Sequence, residues 1–237
     1  MIEVANFRLS IVIPTLNEAK KIDAHLLALQ PFRAAGQEVI VADGGSCDDT
    51  ALLAAPLVDY IIVSKRGRGF QMNAGAKQAS GDILLFLHSD TKLPATTIYL
   101  VREGLSRSGK SWGRFNVRLS GSHPMLRVIE YMMNLRSRLT GIATGDQAIF
   151  VRREAFQTIG GFESIPLMED IALSYGLKRA FGRPLCITVP VITSSRLWEH
   201  EGILRTMLLM WRLRLAYFFG VSPHQLVKDY YPRKSER

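Results

Sequence analysis

Cysteine is nearly absent from this chain. Cys47 and Cys186 are the two in 237 residues. They lie far apart and in no metal-ligand spacing, which excludes a disulfide scaffold or a zinc ribbon and suits a reducing compartment. No Walker A loop and no Gly-x-Gly-x-x-Gly follows any strand-like run, which removes P-loop and dinucleotide-fingerprint chemistry. A secretory leader is not expected either: the first eight residues carry Glu3 and no basic cluster, and the apolar stretch at residues 9–13 is too short. Acidic residues are scarce, 21 against 30 Lys and Arg, so the formal net charge is +9 and the pI near 9.8. Such a surplus implies an anionic partner, whether nucleic acid, lipid headgroup or phosphorylated substrate, without choosing among them. What the chain does have is 47% hydrophobic residues, enough to bury the core of one large domain or two joined halves.

The pivotal stretch is residues 83–91, Ile-Leu-Leu-Phe-Leu-His-Ser-Asp-Thr. An apolar run bounded by Gly81-Asp82 and Pro94 reads as a strand buried on both faces, and its carboxyl end carries His88, Ser89 and Asp90. In open parallel sheets ligands collect beyond those carboxyl ends. On an extended chain His88 and Asp90 would point to one side, where a cation or a phosphate could meet both.

The same pattern occurs upstream. Residues 8–14 form a strand, and Thr15-Leu16-Asn17-Glu18 has capping-box spacing for a helix that Pro31 would close. Residues 38–42 form a second strand, ending in Asp43-Gly44-Gly45-Ser46. There Asp43 can accept hydrogen bonds from a base or ribose, and the glycines admit close backbone approach. Asp49 reads as a helix cap. After a third strand at residues 59–64, Lys65-Arg66-Gly67-Arg68-Gly69, with Gln71, Asn73 and Gly75 beyond it, reads as a flexible loop offering charge and N–H groups to a diphosphate. A solvated basic loop is the alternative. Strand and helix alternating in this way predict an α/β chain with a doubly wound, parallel sheet.

Taken together, Pro14-Thr15-Leu16-Asn17-Glu18, Asp43-Gly44-Gly45-Ser46, Asn73-Ala74-Gly75, Gly81-Asp82 and His88-Ser89-Asp90 resemble the nucleotide-sugar half of the family-2 inverting glycosyltransferases. These enzymes have the GT-A fold, a Rossmann-like, mostly parallel twisted sheet with flanking helices. The likeness implies a nucleotide-diphosphate-sugar site at Pro14, Thr15, Asn17, Glu18, Asp43, Gly44, Arg68, Asn73, His88, Ser89 and Asp90. It also implies a divalent metal, Mn or Mg, on Asp90. His88 stands where the family has an aspartate, leaving metal or phosphate as its partner. The glycine-rich loop of the nucleotidyltransferases, which share the architecture, is missing after the first strand.

Beyond Asp90 the expected elements are a helix at residues 96–105, a strand at 110–119, a helix at 124–139, a strand at 148–151, a helix from 152, a second from Glu169, and a last strand at 186–191. In the 124–139 helix Arg127, Glu130, Asn134 and Arg138 share a face, and we read it as core-packed. The block Thr144-Gly145-Asp146-Gln147, Gly160-Gly161-Phe162, Glu169-Asp170 resembles the acceptor half of the same family, which makes Asp170 the general base, Glu169 its reserve, and Gly145 and Asp146 acceptor contacts. An inverting displacement needs a carboxylate facing the acceptor hydroxyl and a cation balancing the leaving diphosphate. Arg196 and Trp198 resemble the end of the family's Gln-x-x-Arg-Trp signature, with Thr193 in the glutamine's place, and are assigned to the acceptor. His200 enters as a further metal ligand, provided its loop folds back.

The expected division is residues 1–110 for the nucleotide sugar, 111–201 for the acceptor, and 202–237 as a basic, apolar helical tail. Seven of its residues are Lys or Arg, and Arg205, Arg212 and Arg214 interrupt its apolar run, so no span approaches the roughly 20 apolar residues needed to cross a bilayer. It either lies on the inner membrane face toward a lipid-linked acceptor, in a cytoplasmic protein, or packs on its own domain or a second copy. The rival to an enzyme is a non-catalytic protein on this fold that binds nucleotide sugar, anionic membrane or RNA; a nucleic-acid reader is the less favoured form.

Overall fold

The computed structural model describes residues 7–230. Eight strands form one sheet: β1 (Leu9–Thr15), β2 (Glu38–Asp43), β3 (Tyr60–Val63), β4 (Ile83–Phe86), β5 (Thr91–Lys92), β6 (Trp112–Leu119), β7 (Phe150–Arg152) and β8 (Leu185–Thr193), in the order β3-β2-β1-β4-β7-β6-β8-β5. Pairings among the first four are parallel, as is β6 with β8, whereas β7 runs against both β4 and β6, and β5 against β8. The chain leaves β1 toward β2 and β3, then returns to β4 on the other side. That reversal opens a crevice at the carboxyl ends of β1 and β4.

Alternation along the strands explains the two-sided core. Leu9, Ile11 and Ile13 of β1 pack with Val39, Val41 and Leu85 on one face, while Val12 joins Ile40, Leu84 and Phe86 on the other. Helices cover both faces: α1 (Ile22–Leu27), α2 (Gln30–Ala34), α3 (Thr50–Ala54) and α5 (Thr97–Ser108) pack on the Leu9, Ile11 and Ile13 side, and α4 (Arg68–Gln78) on the Val12 side. Gln71 of α4 is buried and donates to Thr15 O at 2.7 Å and Ala42 O at 2.9 Å, tying the ends of β1 and β2 together.

Several local expectations change. Thr15 ends β1 and is no helix cap, because Asn17 turns into the left-handed region at φ 55° and α1 starts only at Ile22, behind a Lys21 that makes no side-chain cap. Pro31 sits in the first turn of α2, where a missing N–H costs nothing, and does not close a helix. Asp49 occupies the position before α3 without capping it; Asp48 accepts from the amides of Thr50 at 3.1 Å and Ala19 at 3.2 Å. Arg68 belongs to the first turn of α4 and not to a flexible loop, since Gly67 at φ 130° turns the chain into that helix.

The second half adds α6 (Pro124–Thr140), α7 (Arg153–Thr158), α8 (Glu169–Phe181), α9 (Arg196–Glu201), α10 (Ile203–Phe218) and α11 (Pro223–Tyr230). Leu126, Ile129 and Met133 make α6 a core helix, as expected, but its polar face has a task too. Arg127 donates to Leu119 O and Gly121 O at 2.7 Å, Glu130 accepts from Leu119 N, and Asn134 brackets Val117. These bonds satisfy β6 backbone just past its bulge at Phe115/Asn116. The tail packs on its own domain, with Leu213 and Leu226 against Ile142, Leu167, Met168 and Ile171. Residues 231–237 of the expected tail lie outside the described residues. Among the described residues no helix is long and apolar enough to cross a membrane.

Asn134 accepts from Val117 N and donates to Val117 O, both at 2.9 Å. Asn134→Ala strips both partners from a buried strand and should cost about 1–3 kcal/mol in urea unfolding. A midpoint equal to the parent's would show the bonds to be incidental.

Candidate active site

One cavity of about 420 Å³ opens at the crevice. Pro14 from β1, His88 and Asp90 from beyond β4, and Arg68 from α4 line one part; Asp146, Glu169 and Asp170 line another; α6 and α10 close over it. Asp90 and Asp170, eighty positions apart in sequence, thus share a cleft. Asp90 is exposed and Asp170 half-buried, so neither is sealed beneath packed side chains.

Local backbone explains how the acids are aimed. The non-glycine residues with positive φ, among the described residues, are Asn17, Ala148 and Met168, and each adjoins a site segment. Met168, buried at φ 69°, swings Glu169 and Asp170 into the first turn of α8; such a residue costs on the order of 1 kcal/mol, which packing must offset. Asp170 accepts from the amides of Gly145 and Ile171, each at 2.7 Å. At Gly145 a Cβ would fall 2.3 Å from His88 Nε2, so only glycine lets the imidazole pass. The His88 Nδ1 then lies 3.6 Å from Asp146 Oδ1.

Burial pushes the Glu169 carboxyl above the ordinary glutamate range and the charge of Asp170 adds to that, with Arg68, 3.9 Å away, opposing. For Asp146 burial also favours the neutral acid, but the hydrogen bond and charge of His88, helped by Arg68 and Arg214, prevail and hold it below the usual range. At the other end of the crevice burial raises Glu18, against a hydrogen bond from Ser89, while Asp90 raises it further and Arg196 opposes.

The expected nucleotide residues divide. Pro14, Arg68, His88 and Asp90 line the cavity. Asn17, Glu18 and Ser89 adjoin it, the Asn17 amide donating to Ser46 Oγ at 2.9 Å and the Glu18 amide to Thr50 Oγ1 at 2.8 Å, while Thr15 is buried with its hydroxyl 3.4 Å from Asp43 Oδ1. Asp43 is buried and organises its own loop, accepting from the amides of Gly45 at 3.0 Å and Ser46 at 2.8 Å, with Gly44 donating to Thr15 O at 2.9 Å. Asn73 does something else. Both ends of its amide bind Phe162, Nδ2 to O at 2.8 Å and Oδ1 from N at 2.9 Å, clamping α4 to the Gly160-Gly161-Phe162 turn outside the cavity lining.

His88 and Asp90 do not point to one side, because the strand stops and the Thr91 amide closes a turn onto His88 O at 3.0 Å. His88 faces Asp146; Asp90 faces Thr193, whose Oγ1 lies 3.4 Å from Oδ1. His200 is exposed, 3.2 Å from Glu201, and shares a shallow recess with Asp90 and Arg196. The expected trio of Asp90, His88 and His200 is therefore not drawn around one point, and among the described residues no three such groups are placed to hold a metal. The donor that remains, one exposed carboxylate at the edge of the cavity, suits a hard divalent ion that takes its other ligands from phosphate and water. Of the expected acceptor residues, Asp146 and Trp198 line the cavity, Gly145 supports it from behind, and Arg196 sits at the Asp90 end.

Sequence reading missed Arg136 on α6 and Arg214 on α10, which both line the cavity. The signal was present: Arg214 is out of phase with Arg205 and Arg212 on an otherwise apolar helix, and the odd cation is the one that faces inward.

With the geometry in view, comparison with known proteins is informative. The profile for glycosyl transferase family 2 matches residues 10–160. A PGL/p-HBAD biosynthesis glycosyltransferase of Mycobacterium bovis is 31% identical over 196 residues, 76% of this chain and 72% of the relative. A poly-beta-1,6-N-acetyl-D-glucosamine synthase of Staphylococcus aureus is 26% identical over 229 residues, 83% of this chain and 56% of the relative, so the chain spans little more than half of that protein's length. Among solved structures, S. aureus TarS 1-349 in complex with UDP-GlcNAc has a TM-score of 0.64 at 19% identity, covering 79% of this chain and 58% of that one. Glucosyl-3-phosphoglycerate synthase from Mycobacterium tuberculosis, with Mn2+, UDP and phosphoglyceric acid, gives 0.59 at 20%, covering 80% and 70%. These likenesses establish the GT-A fold.

Because Glu169 is harder to ionise in the folded protein, its burden on stability is absent at acid pH, where it is neutral in both states, and grows as pH rises from the usual glutamate range through its raised value. Glu169→Gln should therefore raise the melting temperature at pH 8, with the gain vanishing near pH 4. Melting curves across that range that stay parallel, or a gain only in acid, would contradict the assigned direction.

Proposed function

The chain belongs to glycosyl transferase family 2, and from that premise we propose that it moves a sugar from a nucleoside diphosphate donor to an acceptor hydroxyl with inversion, Asp170 serving as general base. The observation that carries this reading is the shared cavity of Asp90 and Asp170. Inversion requires the hydroxyl to attack from the face opposite the leaving diphosphate, so the base and the diphosphate site must sit at two ends of one cleft. Two backbone N–H groups fix Asp170's orientation and leave its remaining lone pairs for the incoming hydroxyl. Glu169, held toward its neutral form and paired with Arg68, is a positioning residue at the junction of the two ends.

On the donor side, Asp90 would hold a Mn or Mg ion, with His200 across the same recess. That ion would supply positive charge to the departing diphosphate. Arg68 and Arg196 add further cationic character, and the Asp43 loop with the Glu18-Ser89 pair shapes the edge for base and ribose. UDP is the first donor-side probe, because the solved neighbours were crystallised with UDP or UDP-GlcNAc.

The same reading includes peripheral membrane contact. Leu204, Leu208, Trp211, Leu215 and Phe218 recur every three or four residues on α10, and all are more than half exposed. With Arg205 and Arg212 beside them they form an outward apolar stripe with a basic edge, the composition of an interfacial helix. Vesicles containing phosphatidylglycerol should pull down the wild-type chain and not a Leu208→Asp, Phe218→Asp double variant. Absence of binding, or a dimer in sedimentation that this double variant breaks, would give the stripe to another use.

Turnover is tested by UDP-sugar hydrolysis or transfer with Mn or Mg. Asp170→Asn should lower the rate by about 10²-fold or more while UDP still raises the melting temperature. Asp90→Ala should abolish the metal-dependent part of that UDP stabilisation. Unchanged turnover in Asp170→Asn would remove it from the base role, and UDP binding that never responds to metal would remove the ion.

A further inference from the structure

Two cations in the cavity take no part in the mechanism above. Arg136, from α6, and Arg214, from α10, both line it, and they feel one another as well as Asp146 and Asp170. Those acids are already engaged: Asp146 with His88, and Asp170 with the amides of Gly145 and Ile171. Neither arginine forms an ion pair with them. Among the described residues the Nε and Nη2 groups of Arg136 are buried with no hydrogen-bond partner at all.

Such an arrangement is costly on its own. Desolvation holds Arg136 down to about 10 and lowers Arg214 as well, with the charge of Arg214 depressing Arg136 further, yet Arg136 remains protonated at neutral pH. Two neighbouring like charges, one of them with unfilled buried donors, have no stabilising role that apolar residues would not fill better. An oxyanion between them would meet the charge of both and accept from the planar fork that guanidinium presents. The walls around them are apolar: Met132 and Met133 from α6, Met207, Met210 and Trp211 from α10, and Trp198 from α9. Methionine adapts to flexible apolar chains.

This corner is not the diphosphate end. Asp90, Asp48 and Arg196 act on Glu18, whereas Arg136 and Arg214 act on Asp146 and Asp170. We infer that Arg136 and Arg214 form an anion subsite at the acceptor end, taking an oxyanion carried on an apolar chain whose body lies against the methionine wall. That the molecule held there is the acceptor rests on Asp170 being the base; the subsite itself rests on the cavity alone.

Octyl phosphate, kept below its micelle-forming concentration, is the probe, with octanol and inorganic phosphate as its apolar and anionic halves. Titrated into the full chain and followed by tryptophan fluorescence, it should saturate and bind about tenfold or more tighter than either half. Arg136→Gln and Arg214→Gln should each remove that advantage while octanol binding and stabilisation by UDP persist; Lys at either position, keeping charge but losing the fork, should weaken it less than Gln does. Octanol binding as tightly as octyl phosphate, or both Gln variants binding octyl phosphate like the parent, would overturn the subsite. Inorganic phosphate binding as tightly as octyl phosphate would overturn its amphiphilic half. No turnover is needed in this assay. A chain that turns over donor yet ignores octyl phosphate sinks the subsite alone, and one that binds octyl phosphate without any turnover sinks the glycosyltransfer reading alone.

Discussion

Three segments distant in sequence meet at Gly145, and the site depends on that meeting. Its amide donates to Asp170 at 2.7 Å while its missing side chain leaves room for the His88 ring, which in turn reaches Asp146. One residue thus couples the end of β4, the turn after α6 and the start of α8. A carboxylate with both oxygens held by backbone N–H groups is fixed in orientation, which the proposed base role of Asp170 would use. The strained φ of Met168 on one side and of Ala148 on the other are the conformational cost of bringing these segments to a single point.

Charge in the crevice is sorted and does not simply accumulate. Glu18, Asp48, Asp90 and Arg196 form one electrostatic neighbourhood; Asp146, Asp170, Arg136 and Arg214 form another; Arg68 and Glu169 stand between them. A transfer between two substrates has the same need, since the leaving group generates negative charge at one end while the attacking hydroxyl loses a proton at the other. Keeping the two in separate fields lets each be tuned without the other. At the junction, burial and the charge of Asp170 make Glu169 harder to ionise, while Arg68 opposes them.

Most of the sheet was legible because buried parallel strands announce themselves as apolar runs, and polar residues at their ends mark the crevice. Residues 8–14, 38–42 and 83–87 needed no more than that. Side-chain direction was less legible. His88 and Asp90 read as partners on an extended chain, but a turn after Leu87 sends them to Asp146 and Thr193. Asn73 carried the right motif and a different duty, because a hydrogen bond spanning 89 positions leaves no trace in local spacing. Asp43 reads in sequence as a base or ribose contact, but its engagement with its own loop depends on φ and ψ at Gly45, which composition does not specify.

The last thirty-odd residues show why composition alone misleads. A stretch both apolar and basic suggests a membrane surface, and the outward stripe of α10 keeps that suggestion alive. Yet Leu213 of α10 is buried against α8, and Arg214 beside it looks into the cavity. The helix therefore has two apolar faces, one closing over the cavity and one facing out, and Trp211 borders both. Since a helix presents residues three and four apart on one side, a cation on the inward face is more costly than one outside and needs a reason. An anion arriving from the outer side would pass along the basic edge of α10 before reaching Arg214, so the two faces are best understood together: the surface that would gather an amphiphile and the pocket that would hold its charged end belong to one helix.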